Sequence, residues 1–296
     1  LDWHGHMKAY AQAKSHIFGK HACMVLNRED QQVMAMLPEP VAKTKASKQI
    51  PREVMRFGGD MPTQHGDWGL ETVNGMTWLV RALDVDETRK SRATAEPEIY
   101  IQRLLPVDAL RIRGRHNALN AMASLALATT TGAPLAAMLY ALREYRGEPH
   151  RVASVAVVQD VEYIDDSKGT NVGATVAAIN SVGADRKIVL ILGGDGKGQD
   201  FSPLRVPIQQ FAREVVLIGK DAAKLREVLQ GAGVPMHDAA HLEDAVKLCQ
   251  GLAQTGDAVL LSPACASLDM FKNYAHRAQV FIDAVRDVAL DAGQEL

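Results

Sequence analysis

The chain has 296 residues, 47% hydrophobic and 23% charged, with a formal net charge of −2 at neutral pH; this is ordinary globular material, long enough for two domains, with no electrostatic case for nucleic acid or an anionic membrane. Its three cysteines, Cys23, Cys249 and Cys265, are too scattered for a disulfide framework or a cysteine zinc site and fit a reducing cytoplasm. No apolar stretch approaches the roughly 20 residues that span a bilayer, and no signal peptide opens the chain.

In chain order, residues 1–18 read as an amphipathic helix, with Met7, Tyr10, Ala11, Ala13 and Ile17 available to one side. A fold that starts in mid-stride, without Met, raises the expectation of a missing amino-terminal portion. A strand "ACMVLN" (22–27) follows, then a polar stretch with Pro and Lys (38–54), then strand-like pieces at 76–83 and 97–105. The charged "DVDETRKSRATAE" (84–96) between them reads as a surface loop. Helices are expected at 117–132 and 133–144, and "REYRGEPHR" (143–151) is the best linker. Beyond it, apolar strands at 154–159, 187–192, 214–219 and 257–262 alternate with helical stretches at 172–182, 204–213, 221–231, 242–254 and 266–290. That alternation predicts a doubly wound, mostly parallel sheet of five or six strands, a Rossmann-like domain of about 150 residues.

Three strand ends carry polar chemistry. "ILGGDGKGQDF" (191–201) turns on glycines and presents Lys197. It is no Walker loop, which needs Gly-x-x-x-x-Gly-Lys-[Ser/Thr]. Gly-Lys occurs at 19–20, 196–197 and 219–220, followed by His21, Gly198 and Asp221. Lys197 therefore addresses another anion or is a solvated turn lysine. "YIDDSKGTNVGAT" (163–175) ends a strand in carboxylates, a lysine and hydroxyls before a helix start that suits an anion, or that Thr170 or Asn171 simply caps. "LLSPACASLDMFKNY" (260–274) ends a strand at Ser262 and places Ser267 at or near a helix start. In a doubly wound sheet all three ends share one rim, which favours a site over isolated caps.

"GRHNALNAMA" (114–123), "PHR" (149–151), "IDDSKGTN" (164–171), "LGGDGKGQDFSPL" (192–204) and "LLSPACASLDMFKNYAHRAQVF" (260–281) resemble, in order and spacing, motifs of the Mur ligase family, and within it the D-glutamate-adding branch. The resemblance covers essentially the whole chain. It implies an α/β protein in which residues 1–148 are the remainder of a central ATPase domain, without its phosphate loop, and residues 149–296 are a Rossmann-like doubly wound domain that receives the amino acid. The family's UDP-sugar domain and phosphate loop would precede Leu1, so the piece alone is expected to be inactive. The implied reaction uses ATP and Mg2+ to convert the carboxylate of UDP-N-acetylmuramoyl-L-alanine into an acyl phosphate, which D-glutamate then attacks. A cytoplasmic monomer is expected.

Carried over position by position, the resemblance implies that Lys14 is a carbamylated lysine that helps to hold magnesium; on its own spacing it is a solvated helix lysine. The family's magnesium-binding histidine would lie just before Leu1, and neither His4 nor His6 replaces it. Asn117, Asn120, Arg151, Asp166 and Lys168 are implied ATP contacts. Asn117 and Asn120 alternatively cap a helix. Thr170, Lys197, Ser267 and Tyr274 are implied to hold D-glutamate, although Phe is frequent in the family at the last position. Phe271 and Cys265 read as packing residues. Two other readings stand beside this one: a ligase like folylpolyglutamate synthase, against which "SPACASLDMFKNY" argues, and a non-catalytic nucleotide- or amino-acid-binding module.

Overall fold

The computed structural model describes residues 4–38, 52–85 and 98–295. Nearly all of the expected loop 84–96 and most of the polar stretch 38–54 lie outside the described residues. The chain divides into two compact units, Leu1–Tyr145 and Arg146–Leu296.

The first unit opens with α1 (Met7–Ser15), whose N-cap His6 accepts a hydrogen bond from the Ala9 amide through Nδ1. This helix is shorter than expected, and Met7, Tyr10 and Ile17 of its anticipated apolar side are exposed. A five-stranded sheet follows in spatial order β1 (Met24–Asn27), β2 (Val54–Phe57), β3 (Trp68–Val73), β4 (Met76–Asp84) and β5 (Ile99–Pro106). A single turn, α2 (Gln31–Met34), follows β1. The first three strands pair in parallel and the last two antiparallel. Strands β2 and β3 were not anticipated. The Asn74-Gly75 pair joining β3 to β4 has positive φ at both residues (51° and 80°), the conformation of a tight two-residue hairpin, and was the available signal for β3. Helix α3 (Arg115–Thr129) lays Ala118, Ala121, Met122, Leu125 and Ala126 against Trp68, Leu79 and Leu105. Spacing of three and four residues makes this one helical face. Helix α4 (Leu135–Glu144) closes the unit.

The second unit is a six-stranded sheet in the order β10 (Met236–Asp238), β9 (Ala212–Ile218), β8 (Ile188–Gly193), β11 (Ala258–Leu261), β7 (Val161–Asp165) and β6 (Ala153–Val158). All pairings are parallel except the β6–β7 hairpin at one edge. Side chains alternate between two cores. Ile188, Leu190 and Leu192 of β8 pack with α5 (Val172–Gly183), α6 (Arg205–Phe211) and α7 (Ala222–Leu229). Val189 and Ile191 face α8 (Leu242–Leu252) and α9 (Tyr274–Asp291) on the opposite side. A strand covered on both faces needs an unbroken apolar run, and "IVLIL" supplies it. Fully burying each such side chain stabilises by roughly 1.5–3 kcal/mol.

Topology decides where the polar turns go. The chain moves outward from β7 through β8 and β9 to β10, then returns to insert β11 between β7 and β8. The loops leaving β7, β8 and β11 at their carboxyl ends therefore diverge at a switch point, where such sheets keep ligands.

One expected helix is corrected. Residues 263–273 form turns, and α9 starts only at Tyr274, so Ser267 is not near a helix start. Ala264 adopts a left-handed φ of 57° and its amide donates to the Gly169 carbonyl. Ala266 pairs with Asp195 in both directions, and the Ser267 carbonyl closes a turn with the Met270 and Phe271 amides. The Ala264 amide and both Ala266 backbone groups are committed to other turns, so the helix waits for Asn273, extended and accepting from the His276 amide through its side chain.

Candidate active site

Four turns meet at the carboxyl rim of the second sheet, joined backbone to backbone. The Gly193 amide donates to the Pro263 carbonyl, and the Gly194 amide to Ile218. Asp195 and Ala266 exchange bonds of 3.0 and 2.9 Å, and the Asp221 amide reaches the Gly194 carbonyl at 3.1 Å. Such close approach leaves no room for side chains on the β8 turn. A Cβ on Gly193 would run into the Ile218 carbonyl and one on Gly194 into that of Ala266, and both glycines have positive φ (131° and 124°). His150 (66°), Lys197 (49°) and Ala264 (57°) also occupy the left-handed region despite carrying a Cβ. Concentrations of such residues mark turns held in place by their surroundings, frequently at functional sites.

On β7 the expected pair of carboxylates is buried. Asp165 accepts from the Ser167 amide at 2.9 Å and lies 2.7 Å from His150 Nδ1. Asp166 accepts from the Ser262 hydroxyl at 2.6 Å and the Val152 amide at 3.3 Å. Burial pushes the Asp166 carboxyl up to about 7; neighbouring Asp165 adds to this, while those two hydrogen bonds and Arg151 oppose it. Ser262 also contacts the Thr175 hydroxyl at 3.0 Å, linking the β11 end to α5.

Lys168 lies half-buried with its ammonium 3.9 Å from the centre of the Tyr274 ring, and the His150 ring meets the same tyrosine edge-on. Arg151 is exposed. Thr170 precedes Asn171, the true N-cap of α5, which accepts from the Ala174 amide. Ser267 is 4% exposed. Lys197 projects from the β8 turn. Its amide donates to Asp195 Oδ1 at 3.0 Å, while Asp195 Oδ2 is taken by Lys220 at 3.1 Å. Among the described residues the Lys197 ammonium makes no ion pair. Cys265 is buried in one core and Phe271 packs on the other.

Two residues of this rim escaped the sequence reading. Arg277 on α9 is fully buried and donates to the Cys265 carbonyl at 3.2 Å and the Ser167 carbonyl at 2.8 Å. Burial brings its guanidinium down to about 10. An arginine on an otherwise apolar helical face, here between Phe281 and the Asn273 cap, was the only hint. Gln199 is the second.

The remaining expected residues belong to the first unit. Asn117 donates to the Arg113 carbonyl at 2.8 Å and accepts from Asn120 at 3.3 Å. The helix cap itself is Gly114, with a φ of 94°. Lys14 is exposed on α1, 5.3 Å from the Tyr10 ring centre. Among the described residues no group of three or more His, Cys, Asp or Glu is arranged to hold a metal ion, and no helix is long and apolar enough to cross a membrane.

Comparison with known proteins agrees with the motifs. Residues 135–265 match the family model described as "Mur ligase, glutamate ligase domain". The chain is 60% identical over 293 residues to the UDP-N-acetylmuramoylalanine–D-glutamate ligase of Albidiferax ferrireducens, covering 99% of this chain and 58% of that protein's length. Two solved structures share the fold, each at TM-score 0.61. UDP-N-acetylmuramate-alanine ligase MurC of Thermotoga maritima is 19% identical, with 97% of this chain and 57% of that one covered. MurF ligase of the same organism, in complex with ADP, is 16% identical, with 97% and 60% covered. With ordered motifs along its length and this identity across nearly all of it, the chain is similar throughout to Mur ligases, and its residues 135–265 match their glutamate ligase domain.

Proposed function

We propose that this chain forms part of an ATP-dependent ligase that joins D-glutamate to UDP-N-acetylmuramoyl-L-alanine through an acyl phosphate, in the cytoplasmic synthesis of peptidoglycan precursors. The observation that supports the reading is the stitched rim of the second unit, whose connected turns carry Thr170, Lys197, Ser267 and Lys168, with Tyr274 at the start of α9, and on which the Lys197 ammonium makes no ion pair among the described residues. D-glutamate is a small dianion bearing an amine. The Lys197 point charge suits one carboxylate, and the Ser267 and Thr170 hydroxyls can donate to carboxylate oxygens. Arg151 and Lys168 offer cations to phosphate oxygens, and Asp166, hydrogen-bonded to Ser262, offers a fixed carboxyl to the nucleotide. Asn117 and Asn120 carry amides suited to adenine and ribose. When bound, ATP supplies the phosphoryl group that activates the carboxylate.

Magnesium fits less completely. An ammonium cannot ligate a cation, whereas a carbamate on exposed Lys14 could, and the described residues contain no group of three or more His, Cys, Asp or Glu arranged to complete such a site. In domain terms, we assign residues 1–148 to the ATP-binding part and 149–296 to the amino-acid-binding part, acting as a monomer.

Kinetics in a chain extended to its relatives' full length test the reading. Lys197→Ala leaves a ligand carboxylate unpaired, a loss of about 2–5 kcal/mol. That corresponds to at least about a tenfold fall in kcat/KM for D-glutamate. Acyl phosphate formation, followed by isotope exchange, is expected to stay within a few-fold. Collapse of that first step with an unchanged D-glutamate KM would overturn the assignment. The 296-residue chain itself contains no Walker loop, and is expected to release no ADP in response to the two substrates.

A further inference from the structure

We infer that Gln199 is a positioning residue of the amino-acid site, a single side-chain amide that sets the spacing of the three segments carrying Thr170, Lys197 and Ser267. The inference rests on the proposed D-glutamate role of those residues. Gln199 is half-buried, and its carboxamide is engaged at both ends. Oε1 accepts from the Val172 amide at 3.2 Å, on the first turn of α5 and two residues beyond Thr170. Nε2 donates to the Gly196 carbonyl at 3.1 Å, adjacent to Lys197, and to the Ala264 carbonyl at 3.3 Å, on the turn that leads to Ser267.

The Val172 amide and the Ala264 carbonyl would otherwise face water or stay unpaired, because neither lies inside a strand ladder, while the Gly196 carbonyl, which also accepts from the Gln199 backbone amide at 3.0 Å, gains a second donor. Lys197 and Ala264 both hold left-handed backbone conformations. These are conformations that a side-chain-bearing residue leaves unless its neighbours restrain it. An amide is the one side-chain group that accepts from an N–H on one atom and donates twice from the other. Glutamate would keep the bond from Val172 but set a charge against two carbonyls, and methionine would fill the space without any of the three bonds. Binding a small, rigidly recognised dianion depends on the separation of its donors, so loosening the turns weakens D-glutamate without touching it directly.

Amide hydrogen exchange on the 296-residue chain gives the first test. In Gln199→Ala, exchange at Val172, Ala264, Asp195 and Ala266 is expected to accelerate together by on the order of tenfold, since hydrogen bonds of about 1 kcal/mol each are lost. Leu190 and Ile191 in the central strand should be unchanged. Gln199→Met should match the alanine variant. Acceleration confined to Val172, equal acceleration of the central strand, or wild-type behaviour of the methionine variant would each overturn the inference. The second test uses the chain extended to its relatives' full length, where Gln199→Ala should raise the D-glutamate KM about tenfold and leave acyl phosphate formation intact. An unchanged KM refutes the positioning role. An unchanged KM in Lys197→Ala would instead refute the proposed site and leave the exchange result standing, so the two failures are distinguishable.

Discussion

Asp166→Asn should stabilise the second unit, by an amount that grows from about pH 4 and levels off above about pH 7. The buried Asp166 carboxyl titrates at about 7 in the folded chain, against about 3.9 in an unfolded one. A folded pKa raised above the unfolded value means that the folded state holds the proton more tightly. The stability tied to this group is therefore fully present below about pH 4 and is lost as pH rises through about 7. At roughly 1.4 kcal/mol per unit over about three units, the ionised carboxylate costs up to about 4 kcal/mol above neutrality. Asparagine is a lasting imitation of the protonated acid. Its oxygen can accept from the Val152 amide, and its NH2 can donate to Ser262, whose hydroxyl turns to Thr175, already 3.0 Å away. Urea unfolding by far-UV circular dichroism, at about pH 5 and about pH 8, measures the effect. The three tryptophans, Trp3, Trp68 and Trp78, all precede residue 146, so their fluorescence follows the first unit separately. The gain should be about 1–2 kcal/mol at the lower pH and about 3–4 kcal/mol at the higher. An equal effect at both pH values, or a loss at the higher, would refute the argument that burial dominates the Asp166 environment.

Three further outcomes follow from the same rim. Gly194→Ala drives a Cβ into the Ala266 carbonyl at a φ of 124° and should cost about 2–4 kcal/mol in urea unfolding, whereas an effect below about 1 kcal/mol would mean that the turn moves aside. Arg277→Met removes the donors for the Cys265 and Ser167 carbonyls; a lower urea midpoint is expected, with a loss of about 1–3 kcal/mol per stranded acceptor, and a more stable variant would show that the buried charge costs more than its bonds return. Residues 146–296, expressed alone, should unfold cooperatively in urea, because both faces of their sheet are covered from within the unit; a broad, non-cooperative transition would show that the unit needs the preceding residues.

Periodicity carried most of the second unit. Runs such as "IVLIL" and "AVLL" are too apolar for a half-exposed strand, and their alternation with helical stretches already implied a parallel sheet with two covered faces. The site residues were legible as strand-end chemistry, and their grouping followed from the rule that parallel strands of one sheet end on one rim. In the first unit the signal was weaker, because β2 is only four residues long and none of them is fully buried.

Tertiary structure decided the rest, and in each case a long-range backbone contact outweighed a local preference. Ser267 reads locally as a helix start, yet Ala264 and Ala266 are claimed by Gly169 and Asp195 from other turns. The insertion of β11 between β7 and β8 is not written in any local window, and it alone brings residues near positions 168, 197 and 267 together. The roles of Gln199 and Arg277 lie in carbonyls supplied by segments up to 110 residues away. The sequence by itself therefore determined the long apolar strands of the second unit and which strand ends carry chemistry, because side-chain pattern is local. The order of strands and the partner of each polar group were decided by the packed structure, because unpaired backbone groups are satisfied only where the chain returns to them.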